Sequence, residues 1–147
     1  MALIFETENF ILESHERPEI SREEGGHIKI SPKKKISDRS ELNPKEAIEF
    51  MRLSIVSGIA MKKAMRKNGI QIDRINYQDN GNWKANFHLH LYGRAVGAKM
   101  QKLGEPIIPG HKKEYQSLNE KEILDIKTEI EILFSLEKYS NEKWRLF

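Results

Sequence analysis

From Asn86 to Tyr92 the chain alternates without a break: Phe87, Leu89 and Leu91 on one parity, Asn86, His88, His90 and Tyr92 on the other. Period-two alternation is the mark of a β-strand with one face in a core and one face free, so the spacing predicts a strand over residues 85–92. The free face carries two imidazoles, a carboxamide and a phenol. Neighbours on one face recur at about 6.6 Å, which sets His88 and His90 side by side. Any fold for this chain must cover one side of a sheet and leave this set on the other.

The remaining pattern supplies such a sheet. Residues 2–6 and 9–13 are short apolar segments, and Gly25-Gly26 opens a third, 27–31, in which Ile28 and Ile30 alternate with Lys29 and Ser31 before Pro32. Residues 70–78 alternate again with an irregularity near Arg74, and Asp79-Asn80-Gly81-Asn82 is a turn. Asn43-Pro44-Lys45-Glu46 has an N-cap, a proline at the first helical position and a glutamate placed to reach back to the cap. The spacing of Ile48, Met51, Ile55 and Ile59, widened by Ala47, Val56 and Met65, predicts a helix of roughly seven turns, ended by Asn68-Gly69. Residues 14–24 and 93–110 read as loops. A second helix starts near Ser117 or Asn119 and carries Ile123, Ile126, Ile130, Leu133 and Phe134 on one side. The expectation is one α+β domain over residues 1–147: an antiparallel sheet of about five strands, a long helix packed on it and a C-terminal helix.

Composition narrows the chemistry. There is no cysteine, which excludes thiol catalysis, disulfides and Cys-ligated metal. Apolar runs are only a few residues long, so no membrane span is expected, and the start Met1-Ala2-Leu3-Ile4-Phe5 lacks the basic region and long apolar core of a secretory signal. A cytoplasmic location is expected. The 25 basic and 22 acidic residues are intermixed, so the net charge of +3 argues little for nucleic acid, and Lys33-Lys34-Lys35 reads as a solvated turn.

On spacing alone, three readings of the histidine face stand. The imidazoles decorate a solvated surface; or they divide the work of nucleophile and charge-stabilising partner; or they hold a divalent ion with a carboxylate such as Glu13 or Asp79. His27 reads as structural at a strand start, His15 and His111 as solvated loop residues, and Tyr92 as a packing or dimer-contact residue. Trp83 either stacks on a base or covers the loop.

The segment Asn86-Phe87-His88-Leu89-His90-Leu91-Tyr92-Gly93-Arg94 resembles the signature of the histidine triad (HIT) superfamily, His-φ-His-φ-His-φ-φ followed by a turn and an arginine, with φ apolar. Placing His88 and His90 on the second and third triad histidines puts Arg94 four residues after the last, as in the diadenosine-polyphosphate hydrolase branch. Gly81-Asn82 then falls where that branch has Gly-Gln. Residues 26–33 resemble the family's Gly-His-φ-φ-φ-φ-Pro-Lys strand, and Phe10-Ile11-Leu12-Glu13 is similar to the strand whose acidic end grips a ribose; the likeness spans residues 2–94, with a variable region over 95–147.

The resemblance implies a HIT-like fold, a homodimer and a nucleotide hydrolase or nucleotidyl transferase acting at an α-phosphate, with a dinucleoside polyphosphate or nucleoside phosphoramidate as substrate. It implies His88 as the nucleophile that forms a nucleotidyl-imidazole, His90 as the partner of a phosphate oxygen, Asn76 and Asn82 as phosphate donors and Glu13 as the ribose contact. No resident cofactor is implied, though a divalent cation such as Mg can accompany the substrate's phosphates. The departure is Asn86 at the first triad position, where a carboxamide orients a neighbour but shuttles no proton. Two rivals follow: a HIT-fold nucleotide binder without turnover, and a processor of adenylylated nucleic-acid ends.

Overall fold

The structure, a computed structural model, describes residues 1–81 and 84–147. Five strands, β1 (Ala2–Glu6), β2 (Phe10–Ser14), β3 (His27–Pro32), β4 (Ile72–Gln78) and β5 (Leu89–Ala95), form one antiparallel sheet in the order β1-β2-β3-β5-β4. Helices α1 (Pro44–Lys67) and α2 (Glu120–Phe134) follow β3 and β5, and a short α3 (Asn141–Trp144) lies beyond them. This is the expected α+β arrangement of a five-stranded antiparallel sheet with a long helix and a C-terminal helix.

Alternation decides the two faces. Phe10, Leu12, Ile28, Ile30, Leu89 and Leu91 are buried in a core completed by Leu53, Val56, Ala60 and Met61 of α1 and Ile126 and Ile130 of α2. Each such side chain contributes about 1.5–3 kcal/mol of burial free energy. Both long helices begin with reciprocal capping boxes, Asn43 with Glu46 and Asn119 with Glu122. The irregularity expected near Arg74 is a register shift between Ile72 and Arg74.

Three details differ from the sequence pattern. The ladder of β5 starts at Leu89 rather than residue 85 and runs on to Ala95, because Phe87 N–H donates to Ile36 O at 2.7 Å instead of to a neighbouring strand. The side of α1 buried in the core is the one bearing Phe50, Leu53, Ala60, Ala64 and Met65, whereas Ile48 and Met51 are exposed and Ile55 and Ile59 are half-buried. Small residues allow the helix to come close: a Cβ on Gly58 would lie 2.2 Å from the Tyr77 hydroxyl. Helix α3, unmarked by any apolar period, packs Trp144 near Tyr139.

The segments around the free face are tied down by polar contacts. Gly25 (φ +127°) and Gly93 touch backbone to backbone: a Cβ on Gly25 would stand 2.2 Å from Gly93 O. Glu24 accepts from the main-chain N–H groups of Lys99, Met100 and Gln101, and Arg94 donates to Lys102 O and Glu105 O. Fully buried Glu122 pairs with Arg22, which fixes the start of α2. No helix among the described residues is long and apolar enough to cross a membrane.

Candidate functional site

The uncovered side of the sheet is organised in rows set by strand register. Glu13, Lys29, His90 and Gln78 line up across β2, β3, β5 and β4, and His27, Tyr92 and Asn76 form the next row. Backbone pairing continues past Ser14 through a hydrogen bond from His15 N–H to His27 O, 3.1 Å, which brings the His15 ring into stacking contact with His27, centroids 4.4 Å apart. His88, just ahead of the β5 ladder, meets His90 edge-on at 4.7 Å. Around these rings lies a cavity of about 550 Å³, also lined by Glu19, Lys29, Gln78, Lys84, Tyr92 and His111, a size typical of small-molecule sites.

The hydrogen bonds define which nitrogen of each ring carries a proton. The main-chain N–H of Glu19 donates to His27 Nδ1, 3.1 Å, so the His27 proton resides on Nε2 and is donated to His90 Nδ1 at 2.8 Å. His90 is thereby left with its own proton on Nε2. His88 has the opposite tautomer, because its Nδ1–H donates to Asn86 O at 2.7 Å, leaving an Nε2 lone pair. A lone pair and an N–H donor thus stand on adjacent rings.

Burial favours the neutral form of His15, His27 and His90. Desolvation, with smaller contributions from Lys29 and neighbouring imidazoles, lowers the pKa of His90 to about 3 and that of His27 well below 6.5, and desolvation with Lys29 lowers His15 to about 4. Burial also lowers the Lys29 ammonium, against the pull of Glu13. Desolvation, then the hydrogen bond to Glu19, raises the Tyr92 phenol.

His15, His27 and His90 place ligand-type nitrogens within 4.8 Å of one another, the one metal-like group of its kind among the described residues. As the rings stand, the spacing is that of a hydrogen-bonded pair rather than of two zinc ligands. Two nitrogens on a tetrahedral zinc at about 2.0–2.1 Å sit roughly 3.3 Å apart, whereas His27 Nε2 and His90 Nδ1 are 2.8 Å apart with a proton between them. Asp79, weighed as a carboxylate ligand, is instead paired with Arg39.

The residues singled out from the sequence are distributed as follows. His88 and His90 line the cavity; Glu13 lies on the same face, one strand beyond Lys29; Asn76 accepts from Arg94 Nη1 through Oδ1, 2.6 Å; Asn86 is exposed. Asn82 and Trp83 lie outside the described residues. Several expectations are corrected. His27 is part of the imidazole network, His15 is half-buried against it, and His111 lines the cavity while its Nδ1–H donates to Pro18 O. Tyr92, 2% exposed and donating to Glu19 Oε2 at 2.7 Å, agrees with the packing alternative of its reading and not with the dimer contact. Glu19, Lys29 and Lys84 were not singled out. Only Lys29 had a visible signal, as a cation on the polar parity of its strand.

The family model of the HIT domain matches residues 2–97. The chain belongs to the HIT family. Solved HIT structures share its fold: a hypothetical histidine triad nucleotide-binding protein from Sulfolobus tokodaii strain7 (18% identity, TM-score 0.61, covering 89% of this chain and 84% of that one) and a histidine triad protein from Bradyrhizobium japonicum (14%, 0.60, 88% and 87%). A zinc-bound histidine triad family protein from Mycobacterium smegmatis is similar at 18% identity and TM-score 0.56, covering 90% of this chain and 86% of that one. A search of the curated proteins finds no match.

Proposed function

We propose that this HIT protein is a nucleotide hydrolase or nucleotidyl transferase that acts at the α-phosphate of a dinucleoside polyphosphate or nucleoside phosphoramidate, with His88 as nucleophile. The observation that carries the reading is the pair of opposed tautomers. His88 Nε2 attacks phosphorus, the bond to the leaving group breaks, and the leaving group takes a proton from solvent. The resulting nucleotidyl-imidazolium keeps its Nδ1–H on Asn86 O, which stabilises its positive charge until water or another acceptor cleaves the P–N bond. His90 donates Nε2–H to a phosphoryl oxygen and, being neutral, needs no proton from solvent to do so. Lys29 and Lys84 offset the phosphate charge.

Asn86 is compatible with turnover because the contact that orients His88 is made by the main chain of residue 86, not by its side chain. Glu13 is assigned to the ribose, Asn76 and Asn82 to phosphate oxygens, and a Mg ion is compatible as a companion of the substrate. Among the described residues Arg94 engages only the Oδ1 of Asn76, which leaves its amide N–H₂ for that task.

The protein acts as a homodimer in this reading. The support is the exposed apolar surface of Ile48 and Met51 on α1, 38% and 48% exposed, and of Tyr77, 47% exposed, on the edge strand β4.

Incubation with an adenosine phosphoramidate and with diadenosine tetraphosphate tests the activity. AMP should form and should be lost in His88→Ala. Binding of AMP with no product above the His88→Ala control would leave a nucleotide-binding protein without turnover, the rival that Asn86 favours.

A further inference from the structure

A second cavity, about 480 Å³, lies away from the histidines and shares no lining residue with their site. It opens between the β1–β2 turn, the first half of α1 and the C-terminal segment, with Phe134, Tyr139 and Leu146 as apolar wall. Into it projects Arg52, only 7% exposed. Among the described residues no carboxylate forms an ion pair with Arg52. A buried cation without an anion is costly, and such charges are normally paired.

The nearest negative charge, Glu49, favours the Arg52 cation at a distance but forms no ion pair with it, and burial outweighs its pull. Glu49, one turn away on α1, is occupied by Thr7 Oγ1 (2.6 Å), Asn9 N–H (2.8 Å) and Asn9 Nδ2 (2.9 Å). The structural duty of Arg52 falls on Nη1 alone, which donates to Tyr139 O (3.1 Å) and Asn141 Oδ1 (2.9 Å); Nε is buried without a partner. The guanidinium carbon is 4.9 Å from the centre of the Phe134 ring, which is itself stacked on Phe5. Charge and apolar surface are therefore presented together.

We propose that this cavity binds a small carboxylic acid with an aromatic body, its carboxylate on Arg52 and its ring against Phe134, Tyr139 and Leu146. A planar monoanion suits a guanidinium. Glu6, Glu8 and Glu49 also line the cavity, with Lys45 as a second cation, and their repulsion bears more heavily on a phosphate dianion than on a carboxylate monoanion. Binding here does not depend on the α-phosphate chemistry.

The test is an NMR titration of the full chain with 3-phenylpropionate, its neutral amide and phenyl phosphate. The acid should give saturable shifts at Arg52 Nε–H, Phe134 and Tyr139, at least about tenfold tighter than the amide. Arg52→Met should weaken the acid by a similar factor, and Leu146→Trp should block it by filling the cavity; shifts induced by AMP at His88 and His90 should remain in both. If Arg52→Met does not fold, the acid–amide comparison and Leu146→Trp decide. The proposal is overturned by no saturable shift, by equal binding of acid and amide, by tighter binding of phenyl phosphate, or by shifts centred on His15, His27 and His90.

Discussion

His27→Phe isolates the network that fixes the tautomers. The substitution keeps an aromatic ring against His15 and Tyr92, whose centroids lie 4.4 and 4.5 Å away, but deletes both ring nitrogens. The Glu19 N–H then loses its acceptor and His90 Nδ1 its donor. A buried polar group without a partner costs about 1–3 kcal/mol. Glu19 and His90 are half-buried, so the lower part of that range applies to each and the sum is about 2–3 kcal/mol. For a domain of this size that corresponds to a melting point lower by about 4–12 °C. With Nδ1 unpartnered, the His90 proton is shared between its two nitrogens, and kcat should fall by about 10- to 100-fold while KM changes less. His27→Gln, which offers an amide N–H near the position of Nε2, should recover part of kcat. Thermal unfolding, turnover of the phosphoramidate and imidazole ¹⁵N spectra give the three readouts. A variant that melts lower but keeps kcat within about twofold, with His90 still protonated on Nε2, would refute the reasoning.

Four further outcomes are expected. His88→Ala should lower kcat by at least about 10³-fold with AMP affinity nearly unchanged, as calorimetry can check. Gly25→Ala should cost about 3 kcal/mol or more in urea unfolding, because its Cβ meets a main-chain oxygen in a left-handed backbone; a cost below about 1 kcal/mol would contradict the close approach. The depressed values of His15, His27 and His90 mean that the unfolded chain binds protons the fold resists. Their contribution is complete above about pH 6.5 and is lost as the pH falls from there towards about 3, so denaturant midpoints should drop across that window, and less steeply in His27→Phe. Met51→Glu should convert the dimer to a monomer in sedimentation experiments, and a wild-type protein that sediments as a monomer would remove the dimer from the account.

The sheet was legible because alternation on 27–31 and 86–92 reports burial directly, and the caps at Asn43 and Asn119 report helix starts by local chemistry. Period alone misjudged part of α1: Val56 and Met65 are buried as their spacing predicts, whereas Ile48 and Met51 are exposed, and Gly58, Ala60 and Ala64 on the buried side admit a close approach to the sheet. The early start expected for β5 has a similar cause. Phe87 is buried like a strand residue but bonds to Ile36, and side-chain alternation cannot tell a ladder from a single tether. The triad pair was visible, its supports were not. Glu19 reaches Tyr92 across 73 residues and His27 reaches His90 across 63, contacts created by strand order and by the Gly25–Gly93 approach, which leave no local period.

The central claim is a covalent one, and rapid quenching followed by mass spectrometry tests it most directly. During turnover of an adenosine phosphoramidate the protein should gain the mass of one adenylyl group, mapped to His88, labile to acid and absent in His88→Ala. AMP formation with no adduct, or with the adduct on His90 or another residue, would contradict it.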